Sequence, residues 1–368
     1  DAKALTSVLV EDLRARSEVD ERSRLVVRGE FARARSAGRT NKSFEEWRED
    51  VLAQIAPAWV LASVFVRFCE DNGLVDTALL SGPDRALEYA RDRRAAFFAD
   101  HPTAGDREWL EHVFRTYQRI PAVAAIFGDR NPLWQLAPSA DGARAILELW
   151  WARDDDGRRL RHDFTDPDWD TRFLGDLYQD LSEHARKQYA LLQTPVFVEE
   201  FILDRTLDPA IDEFGLDGFK MIDPACGSGH FLLGAFHRLF ARWRDRRPAS
   251  NPRELAQRAL DSIYGVDINP FAVEIARFRL LVAALKASGE TRLVDLPDFH
   301  VNVAVGDSLL HGTRGDRLLS GAAEFASVID HHYPTEDADH ADRILQADTY
   351  HAVVGNPPYI TVKDPALN

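Results

Sequence analysis

The first 165 residues have the spacing of apolar side chains that is typical of amphipathic helices. At the start of the chain these side chains recur three and four positions apart: Leu5, Val8, Leu9 and Leu13. Ser43 and Glu46 then form the pattern of a capping box, which places the start of a helix just before Trp47. We therefore predict a helical N-terminal region, and no catalytic constellation is visible in it.

One apolar stretch, residues 51–66, has a length and composition that raise the question of a membrane span. It contains Gln54 and Pro57, is shorter than a membrane span and is followed by Arg67. We predict a buried core helix here and expect no membrane as a partner. Charged residues also interrupt the first twenty positions, where a signal peptide needs an unbroken apolar region.

From about residue 166 the pattern changes to short β-type runs, each followed by a helical segment. The predicted strands are FKMID at 219–223, IYGVDI at 263–268, VNVAV at 301–305 and HAVVG at 351–355. Asn251-Pro252 and Asn269-Pro270 are typical helix starts between them. This alternation predicts an α/β fold with a mainly parallel, doubly wound sheet, incomplete in this segment.

The patterns together predict a division into three parts. Residues 1–165 would form the helical N-terminal domain, 166–204 connecting helices, and 205–368 the first part of a catalytic core. Ending here, the sheet would have only about four strands and HAVVG could lie near an uncovered edge. We therefore expect these residues to be the ordered part of a longer chain.

The net charge and the number of cysteines exclude some classes of protein. Of the 368 residues, 60 are Asp or Glu and 45 are Lys or Arg, so the net charge is −15. This sign excludes a protein that grips nucleic acid over its whole surface, because phosphates require clustered cations. Two cysteines, Cys69 and Cys226, are too few for a disulfide scaffold and fit a reducing cytoplasm.

Chemistry-bearing residues follow each of the four predicted strands. A glycine-rich turn, DPACGSG at 223–229, comes after the first strand and opens a helix, and glycines there let backbone approach a ligand closely. A dinucleotide fingerprint requires a further glycine at the position of Leu232, which disfavours nicotinamide or flavin. Asp267 ends the second strand, where an acid can accept hydrogen bonds from ribose hydroxyls; its alternative role is to cap a turn.

The third and fourth strands end in GDS at 306–308 and NPPY at 356–359. With these four motifs in this order, the sequence resembles the S-adenosylmethionine-dependent methyltransferases that act on the exocyclic amine of DNA adenine. Thr194-Pro195 resembles their cofactor-side motif, although Gln193 stands where that family usually has tyrosine. The resemblance implies a Rossmann-like methyltransferase core preceded by the helical domain.

The same resemblance assigns roles to individual residues. Asn356 and Pro357 would accept hydrogen bonds from adenine N6 through the side-chain and backbone carbonyls, Pro358 would stiffen the loop, and Tyr359 would stack on a flipped-out base. S-adenosylmethionine would be bound by Thr194, Asp223, Ala225, Cys226, Gly227, Gly229, Asp267, Ile268, Asp307 and Ser308. Within this set Asp267 would take the ribose and Asp307 the adenine amine of the cofactor.

Longer segments resemble one methyltransferase family over nearly the whole chain. FVRFCEDNGL at 65–74, HDFTDPDW at 162–169 and the helix after DPACGSG are similar to the PglX enzymes of type 2 BREX, or phage growth limitation, systems. The resemblance implies double-stranded DNA as a partner, other proteins of the same defence system as further partners, and a cytoplasmic monomer.

Other interpretations stay open at this point. NPPY also occurs in enzymes that methylate protein glutamine or ribosomal RNA, and a catalytically silent scaffold could bind the cofactor alone. Cys226 as a nucleophile is disfavoured because it lies in the cofactor turn. Asp330, His331 and His332 superficially suggest a metal, but their surroundings are typical of a solvated insertion and we predict no metal site.

Overall fold

The computed structural model describes residues 1–83, 85–181, 194–293, 299–309, 333–346 and 349–357. Helices before the sheet are α1 Ala2–Val19, α2 Glu21–Ser36, α3 Phe44–Asp71, α4 Ala86–Asp100, α5 Asp106–Gln118, α6 Ala140–Trp151, α7 Phe173–Leu181, α8 Val196–Arg205 and α9 Leu207–Phe214. The remaining elements are β1 Met221–Asp223, α10 His230–Arg246, α11 Pro252–Leu260, β2 Ile263–Asp267, α12 Pro270–Ser288, β3 Asn302–Val305, α13 Ala338–Ile344 and β4 Ala352–Val353.

Helix α3 is the centre of the N-terminal region. It begins with the predicted capping box, in which Ser43 and Glu46 bond each other's backbone N–H. Within the described residues it is the one helix long and apolar enough to cross a membrane, but 89% of its most apolar window is buried inside the protein. Trp59, Phe65 and Phe68 are fully buried, so the prediction of a core helix is confirmed.

Four parallel strands form the described sheet in the order β3-β2-β1-β4. Met221 of β1 is aligned with Ile263 of β2 and with Ala352 of β4, and β3 pairs with the other edge of β2. Each of the four predicted strands is present, although the observed ones are shorter. The prediction of an α/β fold with a parallel sheet is confirmed, and β4 lies at one edge of the described strands.

Alternate residues of the strands face two different helical layers. Met221, Ile263 and Val303 join the large core formed with helices α10 and α12. Ile222 and Val266 point to the opposite face of the sheet, where they pack in a smaller cluster with Ala341 and Ile344 of α13. Both faces of the sheet are thus covered, as parallel sheets require.

The helical region and the sheet region share one continuous core. Phe278 of α12 stacks on Phe65 of α3 at a ring-centroid distance of 4.5 Å and meets Phe68 edge-on at 5.5 Å. A buried ion pair adds a second link, since Arg39 Nη2 lies 2.6 Å from Glu336 Oε1. These contacts fix the helical region against the sheet, while the predicted boundaries at 165 and 204 stay predictions.

Candidate functional site at the carboxyl edge of the sheet

The parallel arrangement brings the predicted motifs to one edge of the sheet. Asp223 and Asp267 are the last residues of β1 and β2, and Asp307 comes two residues after β3. Asn356 comes three residues after β4, which pairs with β1. Carboxyl ends of parallel strands point the same way, so four segments that are far apart in the chain converge here.

The two glycines of the turn, Gly227 and Gly229, meet different structural requirements. Gly229 has a φ of 80°, and a Cβ there would lie 2.9 Å from Ala276 Cβ, so it permits close packing of α10 against α12. Gly227 also has a positive φ, 52°, but a Cβ there would meet nothing within 4 Å. The open space beside Gly227 is where a ligand can approach the backbone.

Asp223 is buried with few hydrogen-bond donors around it. Its side chain is 1% exposed, and in the described part of the chain it accepts one hydrogen bond, from the Ala225 N–H at 3.1 Å. Burial raises the pKa of Asp223 to about 8, and the nearby Asp267 carboxylate adds to the effect. A buried acid with spare acceptor capacity is suited to a cationic or N–H-bearing ligand.

Asp267 holds the turn together through its carboxylate. Oδ2 accepts the Gly227 N–H at 2.8 Å and Oδ1 accepts the Asn269 N–H at 2.8 Å. Burial raises the pKa of Asp267 in spite of these two bonds. The turn-capping role weighed from sequence is therefore observed, and each oxygen keeps a second lone pair for a ribose hydroxyl.

Three further predicted residues border this edge. Ile268 is 45% exposed although it is apolar, which leaves its side chain available to pack on a flat ring. Asp307 is half-buried and accepts the Leu309 N–H through Oδ1 at 2.9 Å, and Ser308 beside it is also half-buried. The Gly306 N–H bonds the Asp267 backbone carbonyl at 3.0 Å, so the GDS turn is tied to the end of β2.

The cofactor-side and catalytic motifs touch each other. Asn356 Nδ2 donates to Thr194 Oγ1 at 3.4 Å across 162 positions of sequence. Thr194 is buried, whereas Asn356 and Pro357 are exposed. With its amide nitrogen on Thr194, Asn356 keeps Oδ1 as an acceptor for a substrate amine. Pro358 and Tyr359, predicted to complete this loop, lie outside the described residues, as does the 330–332 segment.

Gly355 is a site residue that sequence reasoning missed. A Cβ at this position would lie 2.6 Å from Asp223 Oδ1 and 3.3 Å from Asp223 Cγ. A side chain is therefore excluded, and the backbone just before Asn356 rests on the buried carboxyl group. The only sequence signal for it is a glycine directly before NPPY, and the strand pattern alone explains that glycine as the end of a strand.

Arg279 of α12 is a second residue without a sequence signal. It is 2% exposed, and its Nη1 donates to the Ser228 carbonyl at 2.8 Å. Burial lowers the pKa of Arg279 to about 10, with Glu199 opposing the effect. Arg279 thus fixes the glycine turn through the Ser228 backbone carbonyl, a group that any residue at position 228 would provide.

Cys226 takes no nucleophilic position in this arrangement. Its side chain is 5% exposed, and burial together with the Asp267 and Asp223 carboxylates raises the pKa of its thiol well above the usual value. Sγ also lies close to β2, 3.0 Å from where a Cβ on Gly265 would be. A neutral, buried thiol is inert, which agrees with its predicted place in the cofactor turn.

Comparison with known proteins adds the class of the domain to this geometry. Residues 261–366 match the family described as Eco57I restriction-modification methylase, so the chain contains a methylase domain. Over its whole length the chain is 48% identical to the adenine-specific methyltransferase PglX of Streptomyces coelicolor, and it spans 31% of that protein. The resemblance to the PglX family is thereby confirmed.

Two further matches are more distant. The adenine-specific methyltransferase BrxX of Escherichia coli O9:H4 is 36% identical over 122 residues, which are 29% of this chain and 10% of BrxX. The solved structure of the ATP-dependent Type ISP restriction-modification enzyme LlaBIII bound to DNA aligns with 98% of this chain and 20% of its own, at 12% identity and a TM-score of 0.52. That likeness concerns the fold alone.

Proposed function

We propose that the protein transfers a methyl group from S-adenosylmethionine to N6 of an adenine in double-stranded DNA, in a bacterial anti-phage defence system. The observation that carries the proposal is the convergence of Thr194, Asp223 and Asn356 at one edge of a parallel sheet. The names of PglX and BrxX, both adenine-specific methyltransferases, support the same activity. The strand order agrees with a Rossmann-like methyltransferase core.

The residues at this edge fit S-adenosylmethionine. The open side of the Gly227 backbone and the under-satisfied Asp223 suit the amino-acid part of the cofactor, which carries an ammonium group. Asp267 would accept hydrogen bonds from the ribose hydroxyls through its remaining lone pairs. Exposed Ile268 would pack on the adenine ring of the cofactor, and Asp307 would accept a hydrogen bond from the amine of that ring. Bound there, the cofactor supplies an electrophilic methyl group.

The chain's own contribution is to make a poor nucleophile available. The N6 lone pair of adenine is delocalised into the ring, so the amine attacks only when its hydrogens are held by acceptors. Asn356 Oδ1 and the Pro357 backbone carbonyl would accept one hydrogen each and stabilise the positive charge that develops on N6. The bond from Asn356 Nδ2 to Thr194 sets which end of the amide faces the substrate.

Base flipping and location complete the proposal. An amine inside the duplex cannot reach a methyl donor in this pocket, so the adenine would be turned out and would stack on Tyr359. Cys69 and Cys226 are both free and buried, in keeping with a reducing cytoplasm. Other proteins of the defence system would join the enzyme there, with the protein itself a monomer.

The test is methyl transfer from radiolabelled S-adenosylmethionine to duplex DNA. The wild-type protein should label the DNA, and Asn356→Ala should lower the rate about a hundredfold or more, because one preorganised acceptor is lost. Because Asn356 is exposed, the Asn356→Ala variant should unfold at the same temperature as the wild-type protein. Binding of the cofactor without any transfer to DNA would support the silent scaffold instead.

A further inference from the structure

Helix α2 and the turn after it are basic in a chain that is acidic overall. Residues 21–42 contain six arginines and one lysine against two acids, Glu21 and Glu30, whereas the whole chain carries −15. Nothing in the proposed chemistry uses this segment. A strongly basic patch on an acidic protein marks a place where a polyanion can bind without repulsion from the rest of the surface.

Three of these arginines form a row along one side of α2. Arg24, Arg28 and Arg35 are spaced by four and seven residues, which is one and two helical turns, or roughly 6 and 10 Å. All three are exposed, and within the described residues none of them is ion-paired. We call them the arginine row.

Two members of the row, Arg28 and Arg35, are held in place by contacts that leave their charge accessible. The Arg28 guanidinium lies 4.4 Å from the centre of the Phe44 ring. Arg35 donates from Nη1 to the Lys42 carbonyl at 3.2 Å and leaves its other N–H groups for a ligand. Arginine donors fixed in this way suit phosphate oxygens, which they bind with little further loss of side-chain freedom.

The row ends close to the carboxyl edge of the sheet. Arg39, one turn after Arg35, pairs with buried Glu336 at 2.6 Å. The next residue, Asp337, donates its N–H to the carbonyl of Val305 at 2.8 Å. Val305 is the last residue of β3, directly before the GDS turn, so the segment after α2 is anchored to the carboxyl edge of the sheet at β3.

We propose that the arginine row binds the phosphate backbone of the duplex DNA substrate, at the side of the carboxyl edge where β3 ends. The proposal rests on DNA as the substrate and adds the surface that holds it. Duplex DNA carries a negative charge about every 1.7 Å along its axis, so a row of three cations about three turns of helix long faces several phosphates at once. Contacts of this kind give affinity and orientation and do not read sequence.

The test compares two triple variants of the protein that have the same change in charge. One is Arg24→Gln with Arg28→Gln and Arg35→Gln. The control is Arg93→Gln with Arg158→Gln and Arg159→Gln, three arginines outside α2 that are equally exposed. Affinity for a fluorescent 30-base-pair duplex is measured across a series of salt concentrations, with circular dichroism and cofactor affinity as checks on the fold and on the cofactor site.

The α2 variant should lose affinity at low salt by roughly tenfold or more, and the slope of log affinity against log salt should become shallower by about 0.9 for each lost contact. The control should keep the wild-type slope, and cofactor affinity should stay the same in all three proteins. Equal slopes for the two variants would overturn the proposal, and exposed Leu25 and Val26 would then point to an acidic protein as the partner of α2. Methyl transfer that persists in the α2 variant at high DNA concentration separates this outcome from a failure of the proposed activity.

Discussion

Buried carboxyl groups in the helical region and at the sheet edge differ in what surrounds them. Glu70 of α3 accepts hydrogen bonds from three backbone N–H groups, those of Leu79, Leu80 and Ser81. Asp223 of β1 accepts one within the described residues, from Ala225. Burial raises the pKa of both, to about 7 for Glu70 and about 8 for Asp223. Two carboxyl groups that are both buried thus serve different purposes. Glu70 uses its oxygens to hold a loop, whereas Asp223 keeps hydrogen-bond acceptors available for a ligand.

Buried arginines repeat the contrast. Arg67 of α3 makes two bonds to Asp71 from Nη2, at 3.0 and 2.8 Å, and others to the carbonyls of Trp150 and His162. Arg279 of α12 donates to the Ser228 carbonyl, but its buried Nε has no partner in the described part of the chain. Arg67 thus uses its charge on its own helix and on neighbouring carbonyls, whereas Arg279 keeps an Nε that is unpartnered within the described residues behind the glycine turn, where we place the cofactor.

The largest effect that separates the two acids is expected in stability. Glu70→Ala leaves three buried N–H groups without an acceptor and should lower the free energy of unfolding by about 3 kcal/mol or more. Asp223→Asn keeps the acceptor for Ala225 and removes a buried acid whose ionisation opposes folding at neutral pH, so it should not lower the free energy of unfolding. Urea denaturation measures both.

The two positions should reverse their order when cofactor affinity is measured, with Glu70→Gln used in place of Glu70→Ala because glutamine keeps an acceptor for the loop N–H groups. Asp223→Asn should weaken S-adenosylmethionine binding tenfold or more, whereas Glu70→Gln, which still folds, should not. If Asp223→Asn binds like wild type, the contrast drawn between the two regions is wrong.

A smaller loss is expected from Gly355→Ala, because the new methyl group collides with the Asp223 carboxyl group. Displacement of the loop should cost about 1 to 3 kcal/mol of stability and slow methyl transfer. Gly29→Ala on α2 is the matched control, since its Cβ would meet nothing closer than the Arg33 side chain at 3.7 Å. Adding Asp223→Ala to Gly355→Ala should recover stability, and a double variant no better than Gly355→Ala would show that the collision is not with Asp223.

These residues also show what the sequence can and cannot predict. The strands, the glycine turn and the capping box at Ser43 are predictable because each depends on a few neighbouring residues. The bond from Asn356 to Thr194 and the contact of Gly355 with Asp223 are not, because they depend on β4 pairing with β1 in space. The role of Arg279 could not be predicted either, because it bonds a backbone carbonyl and no particular residue type in the sequence indicates such a partner.

The smallest effect concerns pH. The folded-state pKa values of Asp223, Glu70 and Glu274 are raised, so above pH 4 these three groups bind more protons in the folded protein than in the unfolded chain. Stability contributed by these groups is therefore present at low pH and lost as pH rises towards 8, by up to about 1.4 kcal/mol per unit for each group. Between pH 7 and 8 the loss belongs mainly to Asp223.

Asp223→Asn should therefore flatten the stability profile between pH 7 and 8 in the absence of cofactor. Denaturation midpoints at half-unit steps of pH measure this. An unchanged profile in the variant would mean that another group titrates there.

The most direct test of the proposed activity is the position of the transferred methyl group. Duplex DNA is incubated with the protein and S-adenosylmethionine carrying a deuterated methyl group, digested to nucleosides and analysed by mass spectrometry. We expect the label on N6 of adenine, and about a hundredfold less of it with Asn356→Ala. Label on N4 of cytosine, or label on adenine that is unaffected by Asn356→Ala, would contradict this expectation.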